Sequence, residues 1–178
     1  MKKIIFKIIV FVLLVLGLIV FVNYYLRPKH GKNVSDDKSK KGLIVERTCA
    51  IIKPDAVAAH NSGAIISIIE WNKFSILKMR KLQLTQKQAE EFYAVHKAKP
   101  FFAELVAHIS SGPVIVLALE KENAIKDWRD LMGATDSSKA APGTLRKMFA
   151  ESITRNAVHG SDAPETALNE LKFFFSDL

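Results

Sequence analysis

Apolar residues are distributed along this chain in two regimes. From Ile8 to Val22 they run without a polar break, IIVFVLLVLGLIVFV, and the wider span from Ile4 to Leu26 is interrupted only by Lys7, Asn23 and two tyrosines. Beyond residue 42 they recur in short runs and at spaced positions, punctuated by Gly, Pro and charged residues, as in a packed domain.

Within that second part, Thr48 to Lys53 (TCAIIK) is a short apolar run closed by Pro54-Asp55, which predicts a buried strand followed by a turn. Ser62 to Trp71 carries apolar residues at helical spacing, and Phe74 to Leu84 alternates in part, as a half-buried strand does. Thr85 opens TQKQAEEFYAVHKA with Gln88 in capping-box spacing, so a helix follows. Pro100 begins a short helix that Gly112 ends, Pro113 to Leu119 reads as a buried strand, and Glu122 to Met132 as a helix that breaks at Gly133. Ala134 to Ala141 is a polar loop, a helix is expected from Pro142 to Glu151, a last strand over Ile153 to His159, and a last helix over Ala163 to Phe173. This order is βαββαβ with inserted helices: an α+β, ferredoxin-like pattern with an antiparallel sheet.

The amino-terminal regime is long enough to matter. As a helix the Ile4 to Leu26 span reaches roughly 35 Å, against about 30 Å of hydrocarbon, whereas the inner run alone reaches roughly 22 Å and keeps a cleaved signal peptide as the competing reading. The run ends in VNYYLRPKHGK, without an A-x-A-like site, and the only cysteine is Cys49, so a lipoprotein signal is excluded as well. The expected organisation is a transmembrane helix at residues 1–26, a flexible basic linker at 27–42 and a folded domain at 43–178. Lys2, Lys3 and Lys7 precede the span and six basic residues follow it closely, which predicts a single-pass protein with its folded domain on the cytoplasmic side.

Charge follows the same division. The formal net charge is +8, yet residues 1–42 hold nine Lys or Arg against two Asp, leaving 17 basic and 16 acidic residues for 43–178. The basicity therefore points to anionic lipid rather than to nucleic acid. A lone cysteine also excludes an intrachain disulfide framework and a CxxC metal or redox site.

Candidate chemistry is sparse until motifs are combined. A Gly-rich P-loop is missing, so any bound phosphate must be held by side chains, and Lys53, Arg129, Thr135 and Arg146 stand near predicted element ends. The decapeptide NAVHGSDAPE, Asn156 to Glu165, places His159 before Gly-Ser-Asp. It reads equally as a turn with Ser161 or Asp162 as N-cap and as a histidine nucleophile at a strand end.

Six segments taken together resolve this: ERTCAIIKPDAV (46–57), FYAVHKAKPFFAELV (92–106), SGPVIVLALE (111–120), WRDLMGAT (128–135), PGTLR (142–146) and NAVHGSDAPE (156–165). In content, order and spacing they resemble the nucleoside diphosphate kinases from about Glu46 to Phe175. That resemblance implies a ping-pong transfer of the γ-phosphoryl group of a nucleoside triphosphate such as ATP to a nucleoside diphosphate, through a phosphohistidine at His159. It implies that Glu170 orients this histidine with Ser161 beside it, and that Lys53, Tyr93, Arg129, Thr135, Arg146 and Asn156 contact phosphate and ribose. It further implies that Phe101 stacks on the base with Leu105 and Ile153 lining the slot, and that Mg2+ is held mainly by nucleotide phosphates rather than by protein ligands.

A homo-oligomer, tetrameric or hexameric, is implied too. The loop Thr135 to Lys139 lacks the Asn-Pro that often follows this threonine in the family, and the chain ends soon after the last helix, as in shorter bacterial members. Two other functions share these residues: a scaffold that keeps the fold and works through its surface, and a phosphotransfer protein that passes phosphate from His159 to other proteins.

Overall fold

The computed structural model describes residues 45–177. Its strands are β1 (Val45–Ile52), β2 (Ser75–Leu82), β3 (Val114–Glu122) and β4 (Val158–Gly160), joined in the order β2-β3-β1-β4 with every pairing antiparallel. Around them stand α1 (Pro54–Ala58), α2 (Ser62–Trp71), α3 (Gln86–Phe92), α4 (Phe102–Ser110), α5 (Ala124–Met132), α6 (Leu145–Phe149) and α7 (Pro164–Phe174). This is the ferredoxin-like α+β arrangement expected from the sequence.

The apolar runs of β1 and β3 have a structural cause. Both strands are central, and helices cover both faces of the sheet, so neither strand presents a wet side and alternation disappears. Ala50, Ile52, Leu117 and Leu119 face one core with Ile65 and Ile69 of α2 and Trp128 of α5. Cys49, Ile51, Val116 and Ala118 face the other with Ala89 of α3, Ile109 of α4 and Leu171 of α7. β2, at the edge, alternates between exposed and partly buried positions as an edge strand should.

Helix α3 starts where its capping box predicts: the Thr85 hydroxyl accepts from the Gln88 amide at 3.2 Å, and the Gln88 side chain accepts from the Thr85 amide at 2.9 Å. Elsewhere the boundaries differ from the expected ones. Pro54–Ala58 is a single helical turn and not only a turn, with proline at its first position. β3 runs on to Glu122, and Asn123, at φ 54°, turns the chain into α5. The helix expected from Pro142 to Glu151 is confined to Leu145–Phe149, and the last strand is only three residues long because residues 151–157 form turns.

The expected membrane-anchored localisation is corrected. Among the described residues no helix is long and apolar enough to cross a membrane. α7, with 11 residues, would reach only about 16 Å. The span 4–26 and the linker 27–42 lie outside the described residues.

Candidate active site

β4 presents His159 opposite Ile51 of β1, with Val158 buried on one side of it and Gly160 on the other. Glycine is required at 160 because the Trp128 indole lies against it: an added Cβ would stand 2.3 Å from two indole atoms and 2.8 Å from Met132 Cε. The same indole donates its Nε1–H to the His159 carbonyl at 3.1 Å, so the side chain that enforces the glycine also pins the histidine backbone.

The imidazole is held from the α7 side. Its Nε2 stands 3.1 Å from both carboxylate oxygens of Glu170. Ser161, fully buried, donates its hydroxyl to Glu170 Oε2 at 2.7 Å and accepts from the Cys49 amide at 3.1 Å. Ser161 thus faces inward, tying Glu170 to β1, and does not cap the helix. At the helix entrance the Thr166 hydroxyl instead accepts from the Ala163 amide and donates to Asp162, whose carboxyl it holds below the usual carboxylate range. With Nε2–H donating to Glu170, the free ring lone pair is on Nδ1. Phe92 and Tyr93 stand edge-on to the ring at 5.3 and 5.9 Å between centroids, and the side chain keeps 18 % of its surface exposed, which leaves a way in for a reactant.

The segment before β4 is strained. Ala157 has φ 65°, and the Val158 amide donates back to the Asn156 carbonyl at 2.7 Å, closing a γ-turn that a residue with a Cβ adopts at a cost of about 1–3 kcal/mol. The turn persists because both polar groups of Ala157 are taken: its amide donates to Asp55 Oδ2 at 2.9 Å and its carbonyl accepts from the Lys53 amide at 2.8 Å.

Asn156, one residue earlier, uses its whole side chain within the protein. Its oxygen accepts from Lys53 Nζ at 2.6 Å, and its Nδ2 donates to the carbonyls of Ile153 at 2.9 Å and Thr135 at 3.4 Å. The structure therefore joins Lys53 at the end of β1, the Thr135 loop and the β4 turn, a convergence that spacing along the chain does not reveal.

Lys53 is only 4 % exposed, and burial, reinforced by Arg146, pulls its ammonium down to about 8 against the opposing pull of Asp55. Arg146, also buried, donates from Nη1 to the Gly133 carbonyl at 2.9 Å and from Nη2 to the Val158 carbonyl at 3.0 Å. Burial, then the nearby Arg129, lowers its pKa to about 10. Arg129, exposed on α5, adds a third positive charge. Among the described residues, Arg146 Nε and the buried Tyr93 hydroxyl have no hydrogen-bond partner. Burial and then Glu170 push the Tyr93 phenol far up, so it stays a neutral donor.

Phe101 and Ile153 are 48 % and 60 % exposed, and Leu105 is half-buried. Rings lead from the histidine to Phe101: His159 to Tyr93 at 5.9 Å, Tyr93 to His96 at 6.2 Å, His96 to Phe101 at 5.8 Å. Phe92, Trp128 and Asp55 hold the site and were not singled out from the sequence. Asp55 alone left a trace there, as part of the Pro54-Asp55 turn signal after the first strand.

Among the described residues no three His, Cys, Asp or Glu side chains converge on a cation-sized space. Lys53, Arg146 and the Tyr93 hydroxyl, gathered around the turn before β4 and the ring of His159, are cations and N–H or O–H donors, a set suited to phosphate oxygens.

Comparison with known proteins gives the family. The sequence model of the family described as nucleoside diphosphate kinase matches residues 46–178. The nucleoside diphosphate kinase of Bradyrhizobium diazoefficiens is 55 % identical over 134 residues, covering 75 % of this chain and 96 % of that protein. That of Pelobacter propionicus is 56 % identical over 134 residues, covering 75 % and 98 %. Among solved structures, the Aquifex aeolicus nucleoside diphosphate kinase superposes with a TM-score of 0.74 at 43 % identity, covering 75 % of this chain and 97 % of that one. The Halobacterium salinarum enzyme, solved in complex with CDP, superposes with a TM-score of 0.72 at 37 % identity, covering 75 % and 90 %. By the family model, which covers most of the chain, and by relatives 55 % and 56 % identical, the chain belongs to the nucleoside diphosphate kinase family.

Proposed function

We propose that this nucleoside diphosphate kinase moves the γ-phosphoryl group of a nucleoside triphosphate to a nucleoside diphosphate through His159. One observation carries the reading: a histidine with one ring nitrogen held by the part-buried Glu170 carboxylate and the other free follows Val158, whose carbonyl accepts from Arg146, and, after burial, Arg146 depresses the Lys53 ammonium while Arg129 depresses Arg146. Like charges that depress one another are stabilised by an anionic ligand, and a phosphate chain is the anion that a neutral imidazole can attack.

In the first half-reaction Nδ1 attacks the γ-phosphorus while Glu170 stabilises the positive charge that grows on the ring. The bond from phosphorus to the bridging oxygen breaks, and the diphosphate leaves with that oxygen. The second half-reaction is the reverse with another diphosphate as acceptor. Lys53, held by Asn156, and the arginines neutralise charge on the moving group, and the Tyr93 hydroxyl and Arg146 Nε are buried donors that no group among the described residues engages. Phe101, Leu105 and Ile153 offer an apolar surface that accepts any base face. The CDP bound to the Halobacterium relative supports this nucleotide assignment.

A divalent cation, used in this family, arrives with the nucleotide phosphates; the protein's own donors fit the phosphate oxygens around it. Bound there, Mg2+ shields phosphate charge. The exposed Leu77 and Met79 of edge strand β2 support assembly of several copies, four or six, whose number mass measurement in solution decides.

The test uses the full-length protein with γ-labelled ATP. Acid-labile label that is lost in His159→Gln and discharged by GDP is the expected result; label that persists in His159→Gln overturns the assignment. Slow discharge by GDP with rapid transfer to proteins favours the phosphotransfer reading. The scaffold reading is not favoured, since Lys53, Arg129, Arg146 and His159 are all present.

A further inference from the structure

One buried titratable pair takes no part in the chemistry above. His108 of α4 and Asp55 of α1 have side chains 6 % and 1 % exposed, and His108 Nε2 stands 3.1 Å from Asp55 Oδ1. The other oxygen of the same carboxylate, Oδ2, accepts from the Ala157 amide at 2.9 Å. Ala157 is the residue at φ 65° whose turn sets both Asn156, the partner of Lys53, and the start of β4 with His159.

We propose that His108 is a positioning residue for the phosphoryl transfer: its ring N–H fixes the Asp55 carboxylate, which clamps the Ala157 amide and thereby the strained turn that aims Asn156 and His159. The inference rests on the reading of His159 as nucleophile, but not for its structural part. A carboxylate with one oxygen bound can pivot about its own side chain, and a second bond at right reach removes that freedom. Burial by itself works to raise the Asp55 pKa, yet the bonds from His108 and Ala157 hold the carboxyl below its usual range, so the clamp is an anion at neutral pH. An anion accepts more strongly from an amide than a neutral acid does, which is what a strained turn requires.

The experiment compares full-length wild type with His108→Phe, which keeps a ring without a donor, and His108→Gln, whose amide N–H can reach the same oxygen. Two quantities are read: the single-turnover rate of phosphoenzyme formation from ATP, and hydrogen exchange of the Ala157 amide without nucleotide. His108→Phe is expected to slow labelling about tenfold, with a smaller change in nucleotide KM, and to speed Ala157 exchange by about tenfold or more. His108→Gln should stay within about threefold of wild type in both. If His108→Phe does not fold, His108→Met, flexible enough to fill the space and also without a donor, gives the same comparison.

Unchanged Ala157 exchange in the variant lacking the donor overturns the proposal, even if labelling slows. So does a His108→Gln variant no better than His108→Phe. Because exchange is read without nucleotide, a failure of the His159 assignment, seen as label persisting in His159→Gln, is distinguishable from a failure of the clamp.

Discussion

Glu170 stands with both carboxylate oxygens 3.1 Å from Nε2 of His159, and one of them also receives the Ser161 hydroxyl at 2.7 Å. The carboxylate is thus fixed to the sheet on one side and to the imidazole on the other. Glu170→Gln keeps the shape but removes the charge that supports a developing imidazolium. A charge-assisted bond contributes about 1.5–3 kcal/mol, so phosphoenzyme formation should slow by about ten- to a hundredfold with little change in melting temperature. Stopped single-turnover labelling checks this, and an unchanged rate would remove Glu170 from the mechanism.

Arg129 and Arg146 should respond differently to the same swap. Arg146 bridges two backbone carbonyls on different segments, and a lysine can satisfy only one of them. Arg146→Lys should lose about 1–3 kcal/mol of stability as well as activity, whereas Arg129→Lys, on an exposed helix position, should lose activity alone. Thermal melts beside initial rates separate the two, and equal melting losses would contradict the assignment.

Lys53 predicts opposite trends for activity and stability above neutral pH. Its ammonium titrates near 8 in the folded chain, depressed first by burial and then by Arg146. Between about 8 and the normal lysine range near 10.4, the unfolded chain binds more protons than the folded one, so this group's contribution to stability rises with pH. The positive charge available to a phosphate falls over the same interval. Nucleotide KM should therefore climb as pH passes 8, and denaturant titrations at pH 7 and 9.5 on Lys53→Met against wild type isolate the stability part.

Gly160→Ala tests the indole contact. The new Cβ has no space beside Trp128, so the indole must move and release the His159 carbonyl. The expected loss is about 1–3 kcal/mol, with a shift in tryptophan fluorescence and slower labelling. Wild-type fluorescence and rate in this variant would show that the contact is not rigid.

Phe101, nearly half exposed, carries little of the core. Phe101→Ala should leave melting unchanged and weaken nucleotide binding by about 1–3 kcal/mol, to similar extents for adenine, guanine and cytosine nucleotides. A loss confined to one base would mean that this ring reads identity rather than offering a stacking face.

The legible and the hidden parts of this molecule divide by physical cause. β1 and β3 showed in the sequence because their burial on both faces leaves unbroken apolar runs, and α3 because Thr85 and Gln88 form a cap by local spacing. α1 did not show as a helix, since five residues opened by a proline read equally as a turn. β4 was placed too early, because a three-residue strand after a series of turns has no periodicity of its own. His159, Glu170 and the cations could be named from motif content, yet their convergence could not. The bond from Lys53 to Asn156 spans 103 residues and that from Cys49 to Ser161 spans 112, distances over which sequence carries no geometry. Asp55, His108 and Trp128 act by holding other residues; the sequence shows Asp55 only as part of a turn signal, and the other two leave no chemical signature of such a role.

The attachment of Ser161 to Cys49 bears on how the protein is made. The nucleophile is aimed only when the last helix has returned to the first strand, so the loop between them must close before Glu170 reaches its place. Refolding chains pulsed with labelled ATP should stay unlabelled through any collapsed intermediate and acquire label in the final kinetic phase. The active histidine would then serve as a clock for the completion of folding, and label appearing ahead of native fluorescence would show that the site forms before the rest of the chain.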